Sequence, residues 1–161
     1  MASLETSAVA PSAAIRIETD SDGHRRLVAA GDVAAGSAIA RLEGTCVVRP
    51  TRYSIQVGSE LHATDLGPID ATNHSCDPSA VVTFTDLGRP FLRARRDIPA
   101  GHEISIHYCA TEFDMAVPFD CTCGAPGCFG TIRGYRHLNP AEERHLEGLL
   151  GRPLPAWSEL R

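Results

Sequence analysis

The stretch Asn73-His74-Ser75-Cys76-Asp77-Pro78 is the most distinctive in this chain. It is polar, ends in proline and shows neither the period of a strand nor that of a helix. Such turn-forming content is typical of a buried functional loop. We therefore take this loop as the first candidate for a functional site.

A second stretch, Cys121-Thr122-Cys123-Gly124-Ala125-Pro126-Gly127-Cys128, brings three thiols close together in sequence. Gly and Pro allow the backbone to wrap around a metal, so the stretch suits a tetrahedral zinc–thiolate site. A zinc ion needs a fourth ligand, for which the sequence offers Cys46, Cys76, Cys109 or a histidine. One disulfide with two free thiols is the alternative interpretation.

Composition indicates one domain that needs no disulfides to hold its core. The chain has 161 residues, of which 43% are hydrophobic. Residues 1–14 are rich in Ser, Ala and Pro and predict a flexible tail rather than a signal peptide. No apolar run approaches the roughly 20 residues of a membrane span.

Six cysteines without an export signal favour thiol or metal chemistry. We expect a cytoplasmic protein, or a nuclear one in a eukaryote, with no membrane partner.

The charged residues are unusual because all fifteen basic residues are Arg and none is Lys. The net charge is −5 and the sequence pI is about 5.8. Sequence-independent binding to nucleic acid needs a basic surface, so we expect no direct nucleic-acid partner.

Short apolar runs interrupted by Gly, Pro and Asp predict many short strands between residues 15 and 108. Asp86-Leu87-Gly88 predicts a hairpin turn between two of them. Two similar segments, 32–36 and 97–101, predict the same turn used twice. Asn139-Pro140 predicts the start of an amphipathic helix over 140–150. The predicted strands are 26–30, 45–48, 53–57, 80–84, 90–94 and 104–108.

The order of these features resembles that of SET-domain methyltransferases with a post-SET segment. The Asn-His-Ser-Cys loop comes first, then a strand ending in Tyr108, then the three clustered cysteines. The resemblance implies a mainly β fold of several small sheets with a pseudoknot, a zinc-bound post-SET segment and a short C-terminal helix. It divides the chain into a tail over 1–14, a SET-like catalytic domain over 15–116, a post-SET segment over 117–136, and a helix and tail over 137–161.

The resemblance also assigns roles to single residues. It places Tyr108 beside the methyl group that is transferred, as the catalytic residue. Asn73 and His74 are expected to bind S-adenosylmethionine, and Phe129 is expected to pack against its adenine. The ligands of a structural zinc are then Cys76, Cys121, Cys123 and Cys128. Cys46 and Cys109 are left as small core residues.

The chain departs from the family's pattern at two places. The family's Gly-x-Gly before residue 27 is replaced by Gly23-His24-Arg25-Arg26. Arg25 and Arg26 are expected to pair with the carboxylate of the cofactor, since guanidinium matches carboxylate geometry. Around Tyr108, His107 and Cys109 replace the family's usual residues. Ile106 replaces an aromatic, so the number of methyl groups added is not predicted.

The function implied is S-adenosylmethionine-dependent N-methylation of a lysine side chain on another protein, since this chain has no Lys of its own. The sulfonium methyl is already activated, so alignment by Tyr108 is the main requirement. A lysine ammonium must lose its proton, but an apolar channel and the sulfonium charge favour this loss, so no dedicated base is expected. The alternatives are methylation of a small-molecule amine on the same fold and a non-catalytic, zinc-stabilised interaction module.

Overall fold

The computed structural model describes residues 15–85 and 88–151. The predicted tail over 1–14, the turn residues 86–87 and residues 152–161 lie outside the described residues. The strands are β1 (Ile15–Thr19), β2 (Arg25–Ala29), β3 (Ala38–Arg41), β4 (Thr45–Val47), β5 (Ile55–Gly58), β6 (Leu61–Thr64), β7 (Asn73–His74), β8 (Ala80–Phe84), β9 (Pro90–Ala94), β10 (Ser105–Ile106), β11 (Phe119–Asp120) and β12 (Thr131–Ile132). Short 3-10 helices span Gly67–Ala71, Tyr108–Ala110 and Tyr135–His137, and the α-helix α1 spans Pro140–Leu150.

The strands form several small sheets, which confirms the predicted fold class. The predicted hairpin is also confirmed, because β8 and β9 pair antiparallel from Ala80↔Ala94 to Phe84↔Pro90. β3 pairs with the other edge of β9, and β4, β6 and β5 form a second three-stranded sheet. The bounds of β8 and β9 match the prediction because turn residues close each apolar run.

Some predicted strands have different ends in the structure, and some strands of the structure were not predicted. β2, β4 and β5 form close to the predicted 26–30, 45–48 and 53–57. The sequence did not predict β1, β3 or β6. β1 shows why: its residues are mostly exposed, and it is a strand because it pairs with β2 over five positions. A hydrophobic period cannot reveal a strand that lies mainly on the surface.

The predicted strand over 104–108 is wrong in its second half. Only β10 forms there, and it pairs in parallel with β7. From Tyr108 the chain turns, because the N–H groups of Thr111 and Glu112 both donate to the Tyr108 carbonyl, at 3.0 and 2.8 Å. The N–H of Tyr108 donates to a side chain, that of His74, instead of a neighbouring strand.

The two similar segments at 32–36 and 97–101 pair with each other. Val33 and Ile98 form an antiparallel bridge, with N–H···O distances of 2.9 and 2.8 Å. The Asp97 carboxylate accepts from the N–H of Ala35 at 2.8 Å, and the Asp32 carboxylate accepts from the N–H of Ala100 at 2.9 Å. The repeat is therefore a reciprocal clamp between two turns, beyond the repeated turn that the sequence predicted.

The buried residues within 15–85 and 88–151 form two clusters. The larger lies between the sheets of residues 27–106, and the smaller joins Cys76 and Cys109 to the C-terminal segment through Ile132, Tyr135 and Leu146. α1 has the predicted bounds and a complete capping box between Asn139 and Glu142. It buries Leu146 completely. None of the described helices is long and apolar enough to cross a membrane.

Candidate functional site

A cavity of about 530 Å³ opens where the N-terminal hairpin, the β7 loop and the C-terminal segment meet. Its walls come from residues within the segments 23–25, 51–55, 69–74, 103–112 and 115–123. These segments are far apart in sequence, and pairing of β7 with β10 brings two of them together. The cavity contains the sequence-predicted residues Arg25, Asn73, His74 and Tyr108, together with Cys121 and Cys123 of the thiol cluster.

Asn73 holds the wall of the cavity together through its amide. Its Nδ2 donates to the Arg25 carbonyl at 3.0 Å and to a Glu103 carboxylate oxygen at 2.8 Å. The same nitrogen lies 3.2 Å from Nε2 of His24. Asn73 therefore fixes the start of β2 against the loop that precedes β10. Its own role toward a cofactor stays a prediction.

His74 links the cavity to the thiol cluster. Its Nδ1 accepts a hydrogen bond from the backbone N–H of Tyr108 at 3.1 Å. In the neutral ring the proton is then on Nε2, which lies 3.2 Å from the Cys76 sulfur and can donate to it. Burial lowers the pKa of His74 to about 4, which favours this neutral form.

Tyr108 is fixed at both ends. Its hydroxyl donates to the Thr72 carbonyl at 2.7 Å, while its backbone is held by His74. Burial raises the pKa of Tyr108 to about 12, with the charges of Glu112 and Glu103 adding to the effect. The phenol is therefore a neutral donor at physiological pH.

The four cysteines assigned to zinc by the resemblance come together in the structure. The sulfurs of Cys76, Cys121, Cys123 and Cys128 lie within 4.8 Å of one another, and Cys76 is 3.9 Å from both Cys121 and Cys128. Zinc–sulfur bonds of about 2.3 Å in a tetrahedron require sulfur separations of about 3.8 Å. The arrangement therefore fits a zinc ion with four thiolates, a set that leaves no open position for water.

Backbone N–H groups surround the same sulfurs, as anionic thiolates require. Phe129 N lies 3.3 Å from the Cys76 sulfur, Cys123 N lies 3.4 Å from the Cys121 sulfur and Ala125 N lies 3.5 Å from the Cys123 sulfur. None of the six cysteines forms a disulfide, so the disulfide interpretation is wrong. Cys109 is buried as expected, but Cys46 is exposed, and its assignment to the core is wrong because β4 lies on the surface.

The two arginines that replace the family's Gly-x-Gly lie in different places. Arg25 lines the cavity, and its side chain makes no ion pair among the described residues. Arg26 is on the opposite side of the strand and pairs with Glu18 of β1 at 2.7 Å. Because neighbouring side chains of a strand point to opposite faces, only Arg25 is brought to the cavity.

The two phenylalanines of the C-terminal segment are also separated. Phe129 does not line the large cavity; its ring packs on His107, with centroids 4.6 Å apart, and on His145 at 5.8 Å. Phe119 does line the cavity, and its ring meets the edges of His74 and Tyr108 at 5.6 and 5.9 Å. The structure therefore offers Phe119, rather than Phe129, to a ligand in this cavity.

His107 is another residue whose place the sequence did not indicate. It is 2% exposed, and neither of its ring nitrogens has a hydrogen-bond partner among the described residues. Its ring packs between His74 and Phe129. Burial lowers the pKa of His107 to about 3, so the ring is neutral and acts here as a packing group.

Glu112 lines the cavity and was not among the site residues predicted from the sequence. Its side chain is 9% exposed, and one of its oxygens accepts from the N–H of Gln56 at 2.9 Å. The other oxygen lies 3.8 Å from Nδ1 of His62. Burial raises the pKa of Glu112 to about 8. No motif marks this residue, because its position depends on the turn after Tyr108.

Comparison with known proteins agrees with this architecture. The SET domain family profile matches residues 24–109. Methyltransferase flvH of Aspergillus flavus is 36% identical over 92 residues, which are 56% of this chain and 50% of that protein. Histone H3-lysine(4) N-trimethyltransferase ATX1 of Arabidopsis thaliana is 30% identical over 127 residues, 77% of this chain and 10% of that protein. The H3 lysine-4 specific histone-lysine N-methyltransferase of Saccharomyces cerevisiae is 32% identical over 85 residues, 50% of this chain and 8% of that protein.

The chain thus spans half or less of the length of these relatives. The family profile, by contrast, covers more than half of this chain, and it ends just after Tyr108. The matched region contains the Asn-His pair, Cys76 and most of the walls of the cavity. This chain belongs to the SET domain family.

Proposed function

We propose that this protein is an S-adenosylmethionine-dependent N-methyltransferase whose acceptor is a lysine side chain of another protein. The observation that carries the proposal is the fixation of Tyr108 in the cavity. Its backbone is held by His74 and its hydroxyl by Thr72. A phenol held in this way keeps its ring and oxygen in one position, which is the requirement for in-line alignment of two reactants.

The lining of the cavity fits a polar, charged cofactor. The hydroxyl of Thr72 is buried there without a hydrogen-bond partner among the described residues. Arg25 offers a guanidinium that can pair with a carboxylate, and Phe119 offers a ring against which a base can pack. Bound S-adenosylmethionine supplies an electrophilic methyl group, and the residues of this chain bind, orient and exclude water around it.

The thiol cluster has a structural role in this proposal. Four thiolates saturate a zinc ion, so the metal offers no site for chemistry. It ties Cys76, next to the Asn-His pair, to the segment 121–128. Because Phe119, Cys121 and Cys123 line the cavity, the metal would hold one wall of the site in place.

The relatives support an acceptor on a protein. The Arabidopsis and yeast relatives are histone-lysine N-methyltransferases. The exposed side chains of Tyr53 and Val117 lie at the cavity wall, where a peptide could lie against them. A peptide lying against Tyr53 and Val117 would let its lysine side chain enter the cavity from outside.

A small-molecule amine is the second candidate, and Arg52 favours it. Arg52 is exposed, lines the cavity and makes no ion pair among the described residues. An unpaired guanidinium at this place would hold the carboxylate of a free amino acid while its amine points toward Tyr108. The sheet of β4, β5 and β6, which bounds this side of the cavity, is small.

One experiment separates these functions. The zinc-loaded protein is incubated with methyl-labelled S-adenosylmethionine and, in parallel, with a protein extract and with a mixture of free amino acids and amines. Label on protein supports the first candidate, and label in the small-molecule fraction supports the second. Tyr108→Phe serves as the inactive control. Failure of S-adenosylmethionine to bind in calorimetry would support the non-catalytic interaction module instead.

A further inference from the structure

Glu112 stands out among the charged residues of the cavity because it is buried. The other acidic residues of the lining, Asp70, Glu103 and Asp120, are half-buried or exposed. The carboxylate of each of these three accepts a hydrogen bond from the protein. The donors are Leu66 N for Asp70, the Asn73 amide for Glu103 and the Thr131 hydroxyl for Asp120. A buried carboxyl that faces a cavity needs a partner, because isolated burial of its charge is costly.

The carboxyl of Glu112 is held rigidly from one side. One oxygen accepts from Gln56 N, and the Gln56 side chain is itself fixed by Gly58, Ser59 and Phe113 at 2.9, 3.2 and 2.8 Å. The second oxygen has no hydrogen bond among the described residues, and it lies 3.8 Å from Nδ1 of His62. One oxygen is therefore anchored, and the other is available to a ligand.

Glu112 is also close to the residue that the resemblance makes catalytic. Its N–H donates to the carbonyl of Tyr108 at 2.8 Å, one turn earlier in the chain, and both side chains line the same cavity. The charge of Glu112 contributes to the raised pKa of Tyr108, after burial itself. The two side chains thus interact within one site.

Resting on the proposed methyl transfer, we propose that Glu112 is a catalytic residue that binds the acceptor ammonium and removes its proton. This replaces the expectation from the sequence that no dedicated base is needed, because the sequence did not place a buried carboxyl in the cavity. The free carboxylate oxygen accepts one N–H of the ammonium, and the proton moves to that oxygen. The nitrogen lone pair so released forms the new N–C bond as the S–CH₃ bond breaks, and its electrons stay on sulfur. The proton on Glu112 then passes to solvent, so one proton is released for each methyl transferred.

The surroundings of Glu112 suit this role near neutral pH. Burial raises its pKa to about 8, close to the pH at which a general base is most effective. His62 is a poorer candidate, because it does not line the cavity. The titratable group nearest to the carboxyl in the ion-pair geometry is His62 from β6, at 3.8 Å, and, after burial, the charge of Glu112 also raises the pKa of Tyr108 from the 3-10 turn. Arg52 from the loop before β5, Asp70 and Glu103 line the same cavity.

Glu112→Gln tests the proposal with little change in shape, because the amide oxygen can still accept from Gln56 N. Glu43→Gln is the matched control, since Glu43 is exposed and does not line the cavity. The probe is N-acetyl-lysine methylamide, which carries one lysine amine. In wild type, kcat/KM should rise with pH to a plateau above about 8. In Glu112→Gln it should be lowered about 100-fold at pH 8 and keep rising toward the pKa of the free amine, about 10.4.

A second measurement does not depend on turnover. Calorimetry with n-butylamine at pH 9 should give at least about 10-fold weaker binding to Glu112→Gln than to wild type or Glu43→Gln. Equal binding and identical pH profiles in all three proteins would overturn the role of Glu112. If wild type transfers no methyl group at all but Glu112→Gln still loses amine binding, the proposed function fails and the amine site stands. If Glu112→Gln does not fold, Glu112→Asp is measured instead. Its kcat/KM should still rise with pH on the acidic side of the profile, and absence of that rise would overturn the proposal.

Discussion

The backbone N–H of Tyr108 donates to Nδ1 of His74 across 3.1 Å, and the other nitrogen of that ring faces the Cys76 sulfur at 3.2 Å. One imidazole therefore joins the residue assigned to catalysis and the cluster assigned to zinc. The two features were independent in the sequence, and the structure couples them through His74.

The two contacts of His74 can be removed separately. His74→Gln keeps a donor for the Cys76 sulfur, whereas His74→Asn keeps an acceptor for Tyr108 N. Loss of a hydrogen bond to a metal ligand lowers affinity by about 10- to 100-fold, so His74→Asn should release zinc more readily. Competition with a chromogenic chelator measures this difference. Equal zinc affinity in both variants would contradict the donor role of Nε2.

Tyr108→Phe removes the hydroxyl that donates to the Thr72 carbonyl. The carbonyl is left without this partner, so we expect unfolding to become easier by only about 1 kcal/mol. Methyl transfer should fall roughly 100-fold because the ring is no longer held in register. Zinc content and S-adenosylmethionine affinity should be unchanged. Activity equal to wild type would show that fixation of the hydroxyl is irrelevant to transfer.

Cys123→Ser removes one member of the thiol cluster, and Cys46→Ser is its control because Cys46 is exposed and lies outside the cluster. We expect Cys123→Ser to bind zinc weakly and to lose protection from hydrogen exchange over the segment 117–136. The loss should amount to several kcal/mol of the roughly 10 kcal/mol that such a site contributes. Cys46→Ser should behave as wild type. Similar exchange in the two variants would argue against a structural metal.

Glu112 should also make the free energy of unfolding depend on pH. Burial raises its pKa from 4.5 to about 8, so the folded chain holds a proton that the unfolded chain releases. Stability should therefore fall as pH rises between these two values, by up to about 1.4 kcal/mol per pH unit. Glu112→Gln should lack this dependence. Urea unfolding of both proteins across the window gives the difference, and because His62 is common to both its own titration largely cancels.

The reciprocal clamp between the two similar turns should contribute to stability from both sides. Asp32→Ala and Asp97→Ala each remove one carboxylate that accepts a backbone N–H. Each change should lower the free energy of unfolding by about 1 kcal/mol. Asp22→Ala, in an exposed turn, should have little effect in the same urea titration. If neither clamp variant differed from Asp22→Ala, the clamp would not be a stabilising feature.

Much of the candidate site could be predicted from sequence because it is carried by contiguous strings. The Asn73-His74-Ser75-Cys76 loop and the segment 121–128 each have residue types and spacings that few folds require. The hairpin of β8 and β9 and the helix α1 were predicted with their bounds, because turn residues and a capping box are local signals. Local chemistry is visible in local sequence.

Which predicted residues line the cavity depends on faces and turns that no local pattern specifies. Arg25 and Arg26 are adjacent in sequence, yet strand alternation sends one to the cavity and the other to Glu18. Phe119 rather than Phe129 meets Tyr108, because packing of α1 draws Phe129 toward His145.

The sequence by itself determined the family, the four thiols and the Asn-His-Tyr set, since each is a matter of residue type and order. Only the tertiary structure placed Glu112 in the cavity, paired the two similar turns and joined Tyr108 to Cys76 through His74. The hydrogen bonds between Tyr108 and His74 and between Gln56 and Glu112 join residues 34 and 56 positions apart. The place of Glu112 also depends on the turn in which its N–H donates to the Tyr108 carbonyl. The physical cause of these relationships is long-range pairing and burial, which a one-dimensional pattern does not contain.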